Sequence, residues 1–152
     1  MRSLFGLALV CLFGSLVAAQ DQPRVRFTVT PDLDNYPQAT PKEAFASVIR
    51  AINRERYDYL VAHLMEPDFV DQRLLTAKIT AEQFTKEVKE NFAADPELLR
   101  GLKRFEAEGE LVEQGASAVV QLKDVKDRKV YFKKIGERWF IENRREEKAA
   151  DK

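Results

Sequence analysis

Cysteine and histidine are almost absent from this chain of 152 residues. The single cysteine, Cys11, lies in an apolar stretch near the N-terminus, and the single histidine is His63. Cysteine-based metal sites and thiol catalysis are therefore excluded after that stretch, and histidine-rich metal sites are excluded throughout. We expect neither a metal nor a cofactor. Without disulfides the domain must depend on its apolar core, and about 130 residues are enough to bury one.

An excess of one charge and a glycine-rich loop are also missing. The chain has 25 basic and 25 acidic side chains, whereas proteins that bind nucleic acid carry an excess of Lys and Arg. Its six glycines are scattered and form no nucleotide-binding fingerprint. No serine stands in a nucleophile elbow. We therefore do not expect nucleic acid as a partner.

Residues 1–19 have the three parts of a secretory signal peptide. Arg2 supplies the positive start, residues 4–17 are almost wholly apolar, and residues 17–19 offer small side chains for cleavage. A spanning helix needs roughly 20 apolar residues, so cleavage is favoured over retention as an anchor. We expect a secreted or periplasmic protein with no integral membrane domain after cleavage. Removing 19 residues from 152 leaves 133, with 24 basic side chains (Arg2 is lost) and 25 acidic ones.

Composition divides the mature chain into three segments. Residues 20–39 are extended or proline-rich, and apolar and polar residues alternate over residues 25–29 in the pattern of a short half-buried strand. Residues 40–144 are expected to form the folded domain. Residues 145–152 are charged, have no apolar periodicity and are expected to be a frayed tail.

Capping residues mark the start of three predicted helices. Thr40 with Glu43, and Thr80 with Gln83, have the spacing of a capping box. Asp95 precedes a proline that suits the first turn of a third helix.

A shorter helix is predicted between the first two of these. Apolar residues recur at three- and four-residue intervals over residues 57–64. We expect Pro67 to end this helix, with an extended or irregular segment starting at Phe69 and Val70.

After Phe105 the period of the apolar residues changes from helical to two, which predicts four strands joined by short turns. In the second strand Ala118, Val120 and Leu122 are expected to face the same side. Helices followed by an antiparallel meander form the α+β pattern, with N-terminal helices packed on a curved sheet. A concave sheet covered by helices is expected to leave a pocket between the two layers.

Two stretches resemble a known superfamily. Residues 40–69, TPKEAFASVIRAINRERYDYLVAHLMEPDF, combine a helix, a turn and a second short helix that ends near an aromatic residue. Residues 130–144, VYFKKIGERWFIENR, combine a lysine-rich strand, a glycine turn and a last strand with tryptophan. Over residues 40–144 the chain resembles the nuclear transport factor 2-like superfamily, which includes ketosteroid isomerase, scytalone dehydratase and polyketide cyclase-like domains. The resemblance implies a cone-shaped α+β roll with an internal pocket, frequent homodimers, and activities that range from cofactor-free isomerisation to none.

His63 and two nearby tyrosines are the candidate catalytic residues, because histidine is the commonest general base. Asp58 is five positions before His63, a rotation of about 140° on an ideal helix, so these two side chains do not share a face. Tyr59 shares the face of His63 and can hydrogen-bond to it. Tyr57 and Tyr59 point to different sides, so at most one is expected to point inward and serve as a proton donor. Alternatively, His63 satisfies carbonyls at a helix end and the tyrosines are core residues.

Aromatic side chains supply the candidate ligand-binding surface. Tyr131 and Trp139 stand on adjacent predicted strands beside Phe132 and Phe140. These four side chains form either the core of the sheet or a stacking platform for a ligand. The residues expected around a ligand are Tyr59, His63, Phe69, Tyr131 and Trp139.

These observations support three hypotheses. The first is a secreted or periplasmic, non-catalytic domain whose pocket binds a small apolar ligand or a protein partner. The second is a cofactor-free isomerase or dehydratase-like enzyme with His63 as general base and Tyr57 or Tyr59 as proton donor. It is weakened because no acidic residue on a predicted strand clearly points inward, as isomerase chemistry requires. The third is a dimerising structural module of the cell envelope, with an exposed apolar sheet face.

Overall fold

The computed structural model describes residues 24–144, so the predicted leader and the charged tail lie outside the described residues. The described chain contains five α-helices, one π-helical turn and four strands. In chain order the elements are α1 (Pro41–Asn53), α2 (Tyr57–Tyr59), the π-turn (Leu60–Leu64), α3 (Pro67–Ala77), α4 (Ala81–Ala94), α5 (Pro96–Glu108), β1 (Glu110–Gln114), β2 (Ser117–Leu122), β3 (Val125–Ile135) and β4 (Arg138–Glu142).

The three predicted helix starts are confirmed. The Thr40 hydroxyl accepts a hydrogen bond from the amide of Glu43, and the amide of Thr40 donates to the Glu43 side chain in return; Thr80 and Gln83 form the same two bonds. The side chain of Asp95 accepts a bond from the amide of Glu97, although with no reciprocal bond. Each cap satisfies backbone donors that a helix cannot satisfy itself, which fixes where α1, α4 and α5 begin.

The four strands form an antiparallel sheet in the order β1-β2-β3-β4, as predicted. Gly115 and Gly136 stand in the first and last turns with φ values of 61° and 58°, a region that suits glycine. Along β2 the predicted alternation is present, because Ala118, Val120 and Leu122 are all buried on one side. The molecule is therefore an α+β fold with an open sheet.

Helices α1 and α5 cover the inner face of this sheet. The ring of Phe45 in α1 lies 5.3 Å from the ring of Phe132 in β3, and Phe132 is 0 % exposed. The buried members of this cluster, the layered core, are Ala44, Phe45, Ile49, Phe105, Ala118, Val120, Leu122, Val130, Phe132 and Trp139. A small cavity of about 200 Å³, with Phe45, Phe105 and Val120 in its lining, lies at this part of the interface between helices and sheet.

Two local predictions are wrong. The chain from Pro67 is not extended: Pro67 is the first residue of α3, where its missing N–H is not needed. Residues 25–29 form no strand but a tight turn, closed by paired backbone bonds between Arg26 and Val29. Phe27 and Thr28 stand inside this turn at φ values of 51° and 66°, which breaks the extended conformation.

The predicted short helix over residues 57–64 is present in a modified form. Only Tyr57–Tyr59 is α-helical, and Leu60–Leu64 winds as a π-helix that ends with the amide of Met65 bonded to the carbonyl of Leu60. Within residues 24–144, no helix has both the length and the apolar character needed to cross a bilayer.

Candidate functional site

A groove opens beside the layered core, where α3 and α4 meet the end of β4. Lys78 adopts the left-handed conformation (φ 54°) after α3, and the Thr80 cap starts α4 two residues later. The chain therefore reverses sharply, and α3 and α4 form a helical hairpin. On the other side, the amide of Glu66 bonds to the carbonyl of Ile141 at 2.9 Å, which fixes the start of α3 against β4.

The floor of the groove is apolar and its rim is polar. Its volume is about 780 Å³. The rings of Phe69 and Phe84 meet at 6.3 Å in an edge-on arrangement, and a salt bridge of 3.2 Å joins Arg73 to Glu87 across the rim. The apolar lining consists of Met65, Phe69, Phe84, Val88, Phe92, Leu98 and Ile141. The polar lining consists of Arg73, Glu87, Asn91, Glu142 and Asn143.

His63 lies outside this groove, in the π-turn, and is 3 % exposed. Its Nε2 is 2.9 Å from the carbonyl oxygen of Val29. A carbonyl only accepts, so Nε2 carries the proton in the neutral ring. Burial lowers the pKa of His63 below 6.5, and the guanidinium groups of Arg138 and Arg26 lower it further, against the opposing effect of the Val29 bond. His63 is therefore neutral at pH 7.

Tyr59 contacts His63 through its ring, with the ring centroids 4.9 Å apart. Its hydroxyl oxygen accepts a bond of 2.9 Å from the amide of Asp32, and its ring stacks on Tyr36 at 4.3 Å. Burial raises the pKa of the Tyr59 phenol above 10. Tyr59 and His63 are thus paired through a contact between their rings. Their hydrogen bonds go instead to Asp32 and Val29, in the segment before α1.

Tyr57 is also buried, which corrects the expectation that at most one of the two tyrosines points inward. The ring of Tyr57 lies 6.0 Å from that of Phe92 in α4, whereas Tyr36 covers Tyr59 from the opposite side. Because Phe92 packs on Tyr57 and Tyr36 packs on Tyr59, both tyrosines are enclosed although they are two positions apart. Asp58 instead accepts bonds of 2.9 and 3.0 Å from Arg56, and these bonds lower the pKa of its carboxyl.

The five residues expected around a ligand are not gathered at one place. Phe69 lines the groove, and His63 lines a separate cavity. Trp139 belongs to the layered core at 2 % exposure. Tyr131 lies on the opposite face of the sheet, where the guanidinium of Arg144 stands 4.8 Å from its ring.

Three buried polar side chains were missed, Gln38, Ser47 and Glu66, and two of them make contacts over long distances in the chain. Gln38 donates from Nε2 to the carbonyls of His63 (2.9 Å) and Trp139 (2.8 Å), and so ties the π-turn to β4. Glu66 accepts from Lys133, and this bond raises the pKa of the Lys133 ammonium. No local signal identifies either residue, because their partners are distant in the chain.

Metal ligands are not clustered in the described part of the chain. Between residues 24 and 144 no group of three or more His, Cys, Asp or Glu side chains is placed to hold a metal ion. Comparison of the chain with models of known families, with characterised proteins and with solved structures finds no match. The groove and the surroundings of His63 are therefore interpreted from their own chemistry.

Proposed function

We propose that the protein is a secreted or periplasmic, non-catalytic binding domain of the nuclear transport factor 2-like kind, which holds a small apolar ligand in the groove between α3, α4 and β4. The observation that carries this proposal is the groove itself. Its volume of about 780 Å³ lies within the range of roughly 300–1,000 Å³ that is usual for small-molecule sites.

The lining favours an apolar molecule. Seven of the twelve lining residues are apolar, and three of these are the phenylalanines Phe69, Phe84 and Phe92. Arg73 and Glu87 neutralise each other at the rim. A ligand that covers the apolar floor and meets the amide groups of Asn91 and Asn143 at the rim fits this arrangement.

The surroundings of His63 support binding rather than catalysis. A general base needs a partner group near the reacting atoms. The Nε2 of His63 bonds to a backbone carbonyl and the Tyr59 hydroxyl accepts from the amide of Asp32, and neither residue lines the groove. Phe69 is the single predicted site residue at the groove, so His63, Tyr57 and Tyr59, on which the isomerase or dehydratase alternative depends, do not line it.

Native mass spectrometry of the mature protein from its own host tests the proposal. We expect a co-purifying small apolar molecule, and a chain mass that corresponds to a start at residue 20. The same spectrum counts the copies in the particle, which tests the homodimer implied by the resemblance. A particle without ligand, together with no uptake of apolar probes, would contradict the proposal.

A pair of variants locates the ligand. Val88→Trp fills the groove from α4, whereas Leu75→Trp adds the same side chain at an α3 position that is 78 % exposed and outside the groove. We expect Val88→Trp to lose binding of N-phenyl-1-naphthylamine, measured by fluorescence, and Leu75→Trp to keep it. Equal binding by both variants would place the ligand elsewhere.

A further inference from the structure

A second cavity, the arginine pocket, lies beside His63 and shares no lining residue with the groove. Its volume is about 510 Å³. Its lining consists of Arg24, Val25, Arg26, Ala62, His63, Pro67, Asp71, Arg138 and Phe140. Three guanidinium groups therefore face one carboxylate in this lining, although the chain as a whole is neutral.

Arg26 is fixed at the wall of the arginine pocket. Its Nη2 donates to the carbonyl of Pro67 at 3.1 Å and to the carboxylate of Asp71. Its Nη1 is buried and has no hydrogen-bond partner among the described residues. A buried donor without an acceptor is unfavourable, and an oxyanion at this guanidinium would supply the missing acceptor.

Arg138 and Phe140 form the facing wall at the start of β4. The guanidinium carbon of Arg138 stands 5.1 Å from the centre of the Phe140 ring. Phe140 is 1 % exposed and Arg138 is half-buried, so the guanidinium lies on an apolar surface and is partly shielded from water. Charge-assisted hydrogen bonds are strongest on such a surface.

We propose that the arginine pocket binds a small oxyanion, a carboxylate or phosphate group, between Arg26 and Arg138, with any apolar part of the ligand against Phe140 and Ala62. Asp71 engages Nη2 of Arg26 and its side chain is 56 % exposed, so it leaves Nη1 of the same guanidinium unsatisfied. The lowered pKa of His63, to which both guanidinium groups contribute, agrees with a positive potential in the pocket. This proposal does not depend on a ligand in the groove.

Nuclear magnetic resonance tests the proposal with His63 as reporter, since it is the only histidine of the chain. Sodium acetate and inorganic phosphate are titrated separately into the mature protein at pH 7.0, with sodium chloride at equal ionic strength as reference. We expect saturable shifts of the His63 ring and of the amides of Arg26 and Ala62 with at least one oxyanion, and the stronger binder identifies the acid group. Unsaturable shifts, or the same shifts with chloride, would show screening alone and overturn the proposal.

Variants distinguish oxyanion binding in the arginine pocket from nonspecific attraction of anions by positive side chains. Arg26→Gln should weaken oxyanion binding at least about tenfold, because a charge-assisted bond contributes on the order of 1.5–3 kcal/mol. Arg100→Gln, at an α5 position whose side chain is 75 % exposed and lines neither cavity, removes the same charge elsewhere and should leave binding unchanged. If Arg26→Gln does not fold, Arg24→Gln and Arg138→Gln decide the question. Unchanged affinity in both would overturn the proposal.

Discussion

The layered core and the groove are both built from large apolar side chains, but these side chains are enclosed in the core and line an open space in the groove. Under α1, large side chains from the helix and from the sheet interlock, so that Phe132 and Trp139 are almost completely enclosed. At α3 and α4 the rings of Phe69 and Phe84 meet edge-on, Phe92 packs on Tyr57, and the groove that all three phenylalanines line has a volume of about 780 Å³. Both regions are apolar. The sheet lies opposite α1 and α5 in the layered core, whereas only the end of β4 lies beside α3 and α4 at the groove.

The comparison shows that the helices that pack on the strands leave less open space than the helices beside the sheet: the cavity at α1, α5 and β2 is about 200 Å³, against about 780 Å³ for the groove. Helices α1 and α5 pack on β2, β3 and β4, whereas α3 contributes only Val70 as a buried residue. The stability of the fold is therefore expected to reside in the layered core. The region around the groove is then free to accommodate a ligand.

The largest predicted effect tests this division. Phe132→Ala in the layered core should lower the free energy of unfolding by about 3–5 kcal/mol, because a fully enclosed ring leaves a cavity. Phe69→Ala at the half-buried groove floor should cost roughly 1 kcal/mol, because less apolar surface returns to water. Urea denaturation of both variants measures the difference. Equal losses would mean that the groove region carries as much of the stability as the layered core.

A second prediction concerns Gln38, which joins the two regions by donating to His63 and Trp139. Gln38→Met keeps the length of the side chain but leaves both buried carbonyls without this donor. We expect a loss of about 1–2 kcal/mol in the free energy of unfolding. Measured against Gln38→Ala, which also removes packing, the variant isolates the hydrogen bonds. A loss in Gln38→Ala alone would assign the role of Gln38 to packing.

How far the sequence predicts this fold is illustrated by its prolines. Pro41 and Pro96 follow Thr40 and Asp95, whose caps act within three residues, so the helix starts could be predicted. Pro67 follows Glu66, which makes no side-chain cap and pairs instead with Lys133, 67 positions later. With no local cap to mark a new helix, Pro67 was interpreted as the end of the preceding one.

The candidate site could be predicted only in part, for the same physical reason. The helical spacing of Phe84, Val88 and Phe92 indicates a buried face but not what it packs against. The position of His63 depends on the carbonyl of Val29, 34 positions earlier, and on a turn that the alternating pattern of residues 25–29 does not reveal. Local signals determine the elements, while long-range contacts place their side chains.

A third prediction follows from the pKa of His63, which burial keeps below 6.5 in the folded protein. On acidification the unfolded chain takes up this proton before the folded chain does. The contribution of neutral His63 to the free energy of unfolding is therefore fully present above about pH 6.5, and it is lost as the pH decreases toward the pKa of the folded protein. His63→Gln should remove this part of the pH dependence. Urea denaturation of both proteins between pH 7.5 and 5.0 measures it, and identical pH profiles would contradict the prediction.

The smallest predicted effect comes from the turn at Phe27 and Thr28, on the groove side of the molecule. Phe27 packs against the cluster of Val61, Val70 and Phe84, while Thr28 has a φ of 66° and therefore carries backbone strain. Thr28→Gly relieves this strain but gives the unfolded chain more freedom.

We expect the relief to exceed the entropic term, because the left-handed conformation is especially unfavourable for a β-branched residue, and the net gain should be about 0.5–1 kcal/mol. Gln72→Gly, in α3, is the matched control, since glycine at a helical position should cost about 1 kcal/mol. Thermal unfolding of both variants measures the two effects. A loss of stability in Thr28→Gly would show that Thr28 holds the turn through its side chain, and the region around the groove would then be less tolerant of change than its open packing suggests.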